Sequence, residues 1–416
     1  MMLLSKRTAK WALVLFMGAA TILYTEHLGL GFYSIDSPIE ITARNVNNGT
    51  GIMSFKDSFD RVLTTHCDPW VSGSGCLKKL DEFDVMVQGK LNTTRQQDCE
   101  SDVFLFHTFW QAEDDKKTFI KRAIFLQIYS FLVTQNPYCT KLIFWKLPSF
   151  YQVLESEIKQ EFGQYIHSGR LELRMFKLDE LCAFNTGGKY STFANHSICH
   201  KTTTSIDIHG NQLVGLSDFV RFFVLDIFGG IYTDGDVVLL KDMRLLWSEN
   251  FAYRWGPNLN FNTAVLGFDK YKNPISKQIF KDNVHGKEDL KELIRAFHPY
   301  NIGVLTYFAR FRQKVLYYHG AREVFSYRPL KMLHIAMFDP AWSSVYLNSP
   351  EKVPFYRLHE FFDKPVDASF SRVNFFRGAF AYHFHLGKAA GGIPKNSYFQ
   401  RLEDDFKKEL LAGNGY

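Results

Sequence analysis

Two acids straddling a glycine, Asp234-Gly235-Asp236, are the residues whose types and spacing most directly offer chemistry. Carboxylates at i and i+2 project to the same side of an extended turn, and the glycine between them lets a ligand approach the backbone. Such oxygen ligands suit Mg²⁺ or Mn²⁺, which keep open positions for substrate phosphates. Asp-Gly between two apolar strands also reads as a plain hairpin turn. Sixteen residues earlier in the same block, Asp218 and Arg221 stand three apart on one helix face, one acceptor and one cationic fork for a polar ligand, or simply an intrahelical ion pair.

A second constellation lies near the end of the chain, in Ala381-Tyr382-His383-Phe384-His385-Leu386-Gly387-Lys388. His383 and His385 share one side of any strand there, and either can complete a metal site or serve the fold alone. Other motifs fail on inspection. Gly187-Gly188-Lys189 has Tyr190 where a phosphate loop needs Ser or Thr, and His359-Glu360-Phe361-Phe362 is followed by Asp363 where a zinc-protease helix needs His.

The elements around these residues alternate. Short apolar strands are predicted at Val103–His107, Leu142–Trp145 and Leu171–Phe176, with helical spacing over Thr118–Thr134. Ser217 reads as an N-cap, the stripe Phe219, Phe222, Phe223 and Ile227 as its helix, and Gly229-Gly230 as the stop. Ile231–Thr233 and Val237–Leu240 then read as strands on either side of the acidic turn. Alternation of this kind predicts an α/β body with a mostly parallel central sheet flanked by helices, binding its ligand beyond the carboxyl ends of the strands.

The whole chain has 416 residues, 46% hydrophobic and 22% charged, which excludes a wholly disordered or many-spanning chain. Its formal net charge of +6 comes without a basic run, so no nucleic-acid partner is expected. Lys6, Arg7 and Lys10 precede an uncharged run from Trp11 to Thr25, with Glu26 after it, the order of a signal anchor with a cytosolic amino terminus; the run also fits a cleaved signal peptide, although no clean small-x-small site follows at once. The expected plan is therefore a cytosolic tail (1–10), a membrane anchor (11–32), a lumenal stem (33–100) and a folded body (101–416). Sequons at Asn48, Asn92 and Asn195 agree with a lumenal body. So does the even set of six cysteines, for which proximity suggests Cys67 with Cys76 and Cys182 with Cys199.

The block from Ser217 to Asp236, with Ser-Asp-x-x-Arg, then Gly-Gly-Ile-Tyr, then Asp-x-Asp, resembles the sugar-nucleotide region of glycosyltransferase family 32, which includes fungal mannosyltransferases and animal α-1,4-glycosyltransferases. Softer likenesses extend it. Phe106-His107-Thr108-Phe109-Trp110 is similar to the family's opening Ile-His-x-x-Trp strand, and Asn262 to its asparagine beyond the metal turn. The resemblance implies a GT-A-type, Rossmann-like body. It implies Asp234 and Asp236 as catalytic and metal-holding acids, with His385 the better-aligned third ligand and His383 the second choice. It also implies His107, Trp110, Asp218, Arg221, Asn262 and Lys388 at the donor. Gly387-Lys388 departs from the family, which commonly has tryptophan nearby. The implied activity is that of a Golgi, single-pass type II, Mn²⁺- or Mg²⁺-dependent glycosyltransferase. It would transfer a hexose or related sugar, with retention, from a nucleotide-diphosphate donor to a glycan, glycolipid or glycoprotein. Two alternatives stand beside it: an inactive glycan-binding scaffold of the same fold, and a sugar-phosphate phosphotransferase.

Overall fold

The computed structural model describes residues 55–67, 73–91, 103–110, 118–147, 152–177, 180, 211–254, 261–269, 330–342, 357–367, 369–388 and 393–413. The expected anchor, all three sequons and Cys99, Cys182 and Cys199 lie outside these residues. No helix among the described residues is long and apolar enough to cross a membrane.

Two helices, α1 (Phe55–Thr65) and α2 (Gly73–Leu91), precede the first strand. They fall in the stretch expected as stem, yet they pack on the body. Phe59 and Phe83 are buried and in ring contact with each other, and Phe59 also meets Phe380 edge-on. Ion pairs join Asp60 to Lys331, Asp81 to Arg377 and Asp84 to Lys241. The Cys67–Cys76 bridge closes the connection between the two helices, as proximity suggested. Cys139 is also disulfide-bonded, to a partner outside the described residues.

The body then alternates as expected: β1 (Phe104–Trp110), α3 (Thr118–Thr134), β2 (Thr140–Lys146), α4 (Gln152–His167), β3 (Leu171–Met175), α5 (Asn211–Phe228) and β4 (Gly230–Thr233). Next come β5 (Val237–Leu239), β6 (Asn250–Arg254), β7 (Phe261–Phe268), β8 (Leu330–Leu333), the short α6 (Glu360–Asp363), β9 (Ala381–His383) and α7 (Tyr398–Leu411). Seven strands form one sheet in the order β3-β2-β1-β4-β7-β6-β8. The pairs β1·β2, β2·β3, β1·β4 and β6·β8 are parallel, whereas β7 runs antiparallel to both β4 and β6. This is a mixed α/β fold with a mainly parallel sheet.

The strand order places the site. The chain builds outward from β1 through β2 to β3, then returns to lay β4 on the other flank of β1. Between the carboxyl ends of β1 and β4 the order reverses, which is where sheets of this kind open a crevice for ligands. Trp110 ends β1 and Thr233 ends β4, so Asp234 enters that crevice directly.

Two local readings are corrected. Ser217 is not an N-cap, because α5 begins at Asn211 and carries Ser217 inside its second turn. The helix is apolar nearly all round, with Phe219, Val220, Phe222, Phe223, Val224 and Leu225 all buried, so packing overrides the capping signal. Its other end is as expected: Gly229 and Gly230 take φ values of 66° and 97°. A β-carbon on Gly230 would fall 2.1 Å from the Leu105 carbonyl oxygen, so strand β4 can lie this close to β1 only with glycine there.

The Asp-Gly hairpin does not form either. The turn is tight, with Val237 N–H donating to the Asp234 carbonyl at 3.1 Å. The strands it joins belong to different sheets: β4 pairs β1 and β7, while β5 pairs antiparallel with β9. The backbone leaving one sheet for the other must find partners off the ladders, and α3 supplies them. Its buried Gln127 donates to the Asp234 carbonyl at 2.8 Å, and Ser130 accepts from Leu239 N–H at 3.0 Å. Gln135, just past its end, bonds Lys241 O and Met243 N. Helix α7 packs against α3, whose Arg122 guanidinium lies over the Phe399 ring.

Candidate active site at the acidic turn

Helix α5 points Asp218 and Arg221 inward, beneath the turn, and both are buried. Arg221 is shared between two acids, with Nη2 3.2 Å from Asp218 Oδ1 and 2.8 Å from Asp234 Oδ1. The remaining donors of its fork are placed as well: Nη1 bonds Thr263 Oγ1 at 2.5 Å and Nε bonds the Ser217 carbonyl at 3.3 Å, while Nη2 also lies 3.1 Å from Ser217 Oγ. The guanidinium also lies over the Tyr232 ring, 5.1 Å from its centre. Lysine could not make this set, because it needs a planar, multidentate cation. Burial raises the Asp218 carboxyl to about 7, with Asp234 adding to the shift and Arg221 opposing it. Asp234 is raised too, by burial and by the neighbouring Asp236, against Arg221.

Asp236 faces the other way, toward β9. Its Oδ1 lies 3.3 Å from His383 Nε2, and its Oδ2 accepts the Leu386 N–H at 2.9 Å. Its own carbonyl accepts the Phe384 N–H at 2.9 Å, so the late histidine strand is stitched to the acidic turn by backbone as well as side chain. Burial would raise the Asp236 carboxyl. The His383 charge, the His383 hydrogen bond and the Leu386 amide outweigh that and hold it well below the usual range. Burial would lower His383, but Asp236, then Asp339 and Asp234, carry it up to about 9.

One ligand atom each from Asp234, Asp236 and His383 lies within 4.8 Å of the others. Two carboxylates and an imidazole around a turn with no β-carbon at its centre fit a divalent ion of the Mg²⁺ or Mn²⁺ kind. Of the two histidines, His383 groups with Asp234 and Asp236, whereas His385 groups with Asp339 and His383. His385, at φ 49°, donates from Nε2 to Asp339 Oδ2 at 2.7 Å, with Trp342 against its ring.

The other expected donor residues divide. Trp110 does reach the turn: its indole lies on Gly235. His107 does not reach the open side. It is wholly buried, with Nε2 at 2.9 Å from the Gly229 carbonyl and Nδ1 accepting from Trp145 Nε1 at 3.1 Å, and burial lowers it to about 4. With both ring nitrogens used, His107 ties β1 to the residue that ends α5. Asn262 turns its Oδ1 onto Ala264 N–H at 2.7 Å, and the Ala264 carbonyl in turn receives Asp234 N–H at 2.8 Å. It supports the strand beside the turn. Lys388 closes a short 3₁₀ turn after β9, and its side chain lies outside the described part.

Four neighbours were not expected from the sequence: Gln127, Thr263, Tyr253 and Asp339. Each reaches the site from an element far along the chain. The one usable signal was the buried polar residue on an otherwise apolar helix, as at Gln127, since such a group must find a partner.

Residues 184–258 match the family described as glycosyltransferase sugar-binding region containing DXD motif, a span that includes Asp218, Arg221, Asp234 and Asp236. Over that span the chain is similar to glycosyltransferase family 32 and carries a sugar-binding DXD region of glycosyltransferase type. No curated protein matches it in sequence. Among solved structures it is similar to the PaToxG glycosyltransferase, at 12% identity, covering 59% of this chain and 88% of that one, with a TM-score of 0.31. An active-site mutant of LgtC gives 12% identity, 74% and 95% coverage and a TM-score of 0.34. Mouse xyloside xylosyltransferase 1 gives 10%, 70% and 100%, and 0.30. All three likenesses are remote.

Proposed function

We propose that this protein is a divalent-metal-dependent glycosyltransferase that moves a hexose or related sugar from a nucleotide-diphosphate donor to a hydroxyl of a glycan, glycolipid or glycoprotein. The observation that carries the reading is the meeting of Asp234, Asp236 and His383 at the switch point between β1 and β4, within a segment that matches a sugar-binding DXD region. In the transfer, the bond from the anomeric carbon to the diphosphate oxygen breaks and a bond to the acceptor oxygen forms. The acceptor's proton leaves with the diphosphate or to solvent. Retention at the anomeric carbon is carried over from the family resemblance.

A divalent ion held by Asp236, Asp234 and His383 would supply electrostatic stabilisation of the charge that builds on the departing diphosphate. The chain's own residues do the positioning. Asp236 is fixed by the Leu386 amide, and Asp234 by Arg221 and by the Gln127 clamp on its carbonyl. Asp218 and Arg221, buried just beneath, offer a polar floor for sugar or ribose hydroxyls. The basic-then-apolar start of the chain supports a cytosolic amino terminus and a lumenal body, and placement in the Golgi is carried over from the family resemblance.

The test uses the full chain from a secretory host, incubated with a panel of sugar nucleotides and Mn²⁺ while free nucleoside diphosphate is measured. Release with one donor, lost in Asp236→Ala and on chelation, is the expected outcome. Full turnover in folded Asp236→Ala would refute the reading.

A further inference from the structure

His383 meets the acidic turn through Nε2, and what stands behind it decides whether that nitrogen can serve as a ligand. Its Nδ1 lies 3.2 Å from the Tyr253 hydroxyl and 3.8 Å from Asp339 Oδ2. Tyr253 comes from β6 and is completely buried; Asp339 follows the 3₁₀ turn Ile335–Met337 and is completely buried too. The backbone holds the same arrangement, because His383 N–H donates to the Phe338 carbonyl at 2.8 Å, one residue before Asp339. A neutral imidazole carries one proton, and only the nitrogen without it can bind a cation. If Tyr253 donated to Nδ1, the proton would sit on Nε2 and block it. A carboxylate facing Nδ1 favours the opposite tautomer, with Nδ1–H donating to the Tyr253 oxygen and the Nε2 lone pair directed at Asp236 and Asp234.

We infer that Asp339 and Tyr253 are positioning residues that act through His383, fixing its tautomer and ring orientation so that Nε2 completes the cation site with Asp234 and Asp236. The inference rests on the metal-site reading above and adds to it a reason for the buried acid. It also assigns His385 a different task. By giving its Nε2 proton to Asp339 at 2.7 Å and lying 3.8 Å, centre to centre, from the His383 ring, His385 holds the carboxylate in place and is itself not a ligand.

The test measures Mn²⁺ affinity of the folded full chain directly, from the electron paramagnetic resonance signal of free Mn²⁺, with thermal unfolding recorded alongside. Asp339→Asn preserves shape and removes only charge, and Tyr253→Phe removes only the hydroxyl. Both are expected to weaken Mn²⁺ binding about 10-fold or more, whereas His385→Gln should stay within about 3-fold. In a His383→Ala background, Asp339→Asn should have no further effect on Mn²⁺ affinity, which a merely structural acid would not predict. Asp236→Ala separates the two levels. If it binds Mn²⁺ like the parent, the metal-site reading itself fails. If it does not bind while Asp339→Asn and Tyr253→Phe bind like the parent, only the positioning role fails. A second Mn²⁺ per chain that disappears in Asp339→Asn, with the first unaffected, would also overturn it, making Asp339, His383 and His385 a cation site of their own.

Discussion

The indole of Trp110 lies so close to Gly235 that a β-carbon on the glycine would sit 2.1 Å from Cε3 and 2.5 Å from Cζ3. The end of β1 therefore serves as the bed on which the turn between the two acids rests. A large ring in that place fixes the height of the turn above the sheet, and with it the reach of Asp234 and Asp236.

Gly235→Ala should force that bed and turn apart. A loss of about 1–3 kcal/mol is expected from overpacking, together with a marked fall in Mn²⁺ affinity. Trp110→Leu in the same chain should recover much of the stability by making room. Chemical denaturation of the single and double variants checks this, and an alanine variant as stable as the parent would show that the indole gives way freely.

Arg221→Lys should be a severe change despite the retained charge. One ammonium cannot serve Asp218, Asp234, Thr263 and Ser217 together, and a broken buried pair costs about 3–5 kcal/mol. Asp218→Asn should be milder, since burial already raises that carboxyl to about 7. Urea unfolding of both variants at neutral pH gives the comparison; equal losses would argue against Arg221 as the shared cation.

Gln127→Leu removes the clamp on the Asp234 carbonyl and on Thr233 Oγ1, which lies 3.0 Å from Gln127 Nε2. Leaving those buried acceptors bare should cost about 1–3 kcal/mol. Because Gln127 makes no contact with ligand in this reading, donor turnover should fall through a loosened turn, and tighter cation binding by the variant is the outcome that would contradict it.

Stability should also depend on His107. Its folded pKa of about 4 lies below the ordinary 6.5, so the unfolded chain takes up a proton first as pH falls. The stabilisation is complete above pH 6.5 and is lost progressively between 6.5 and 4. Between pH 7 and pH 5 the parent should lose about 2 kcal/mol more than a non-titrating His107→Gln variant. Parallel denaturation curves at the two pH values read the difference directly, and an equal loss in both proteins would mean that His107 is not buried neutral.

Features made by residues within a few positions of one another are legible in the amino-acid sequence. Thr118–Thr134 is a helix to the residue, Gly229-Gly230 ends α5, and Asp218 and Arg221, three apart on one helix face, do form an ion pair. What is hidden depends on distant pairing. Nothing near Asp236 reveals that β5 will pair with β9, the pairing that sets His383 opposite Val237 and beside Asp236. Spacing treats the two histidines as equals because both occupy one side of an extended strand. The positive φ at His385, set by packing against Asp339 and Trp342, breaks the equivalence. Ser217 misleads for a related reason: a hydroxyl that caps helices in isolation is here claimed by Arg221 and Tyr232.

The packing of α1 and α2 has a practical consequence for anyone trimming the chain. Gly378, at φ 90°, leaves room for the Leu77 carbonyl only because it lacks a β-carbon, and Phe380, two residues on and just before the histidine strand, meets Phe59 edge-on. A version starting at residue 101 would thus strip a flank from the segment that delivers His383, leaving Phe380 wet and the ion pairs of Lys241, Lys331 and Arg377 to these helices without their acids. A shortened version that keeps α1 and α2 would retain these contacts.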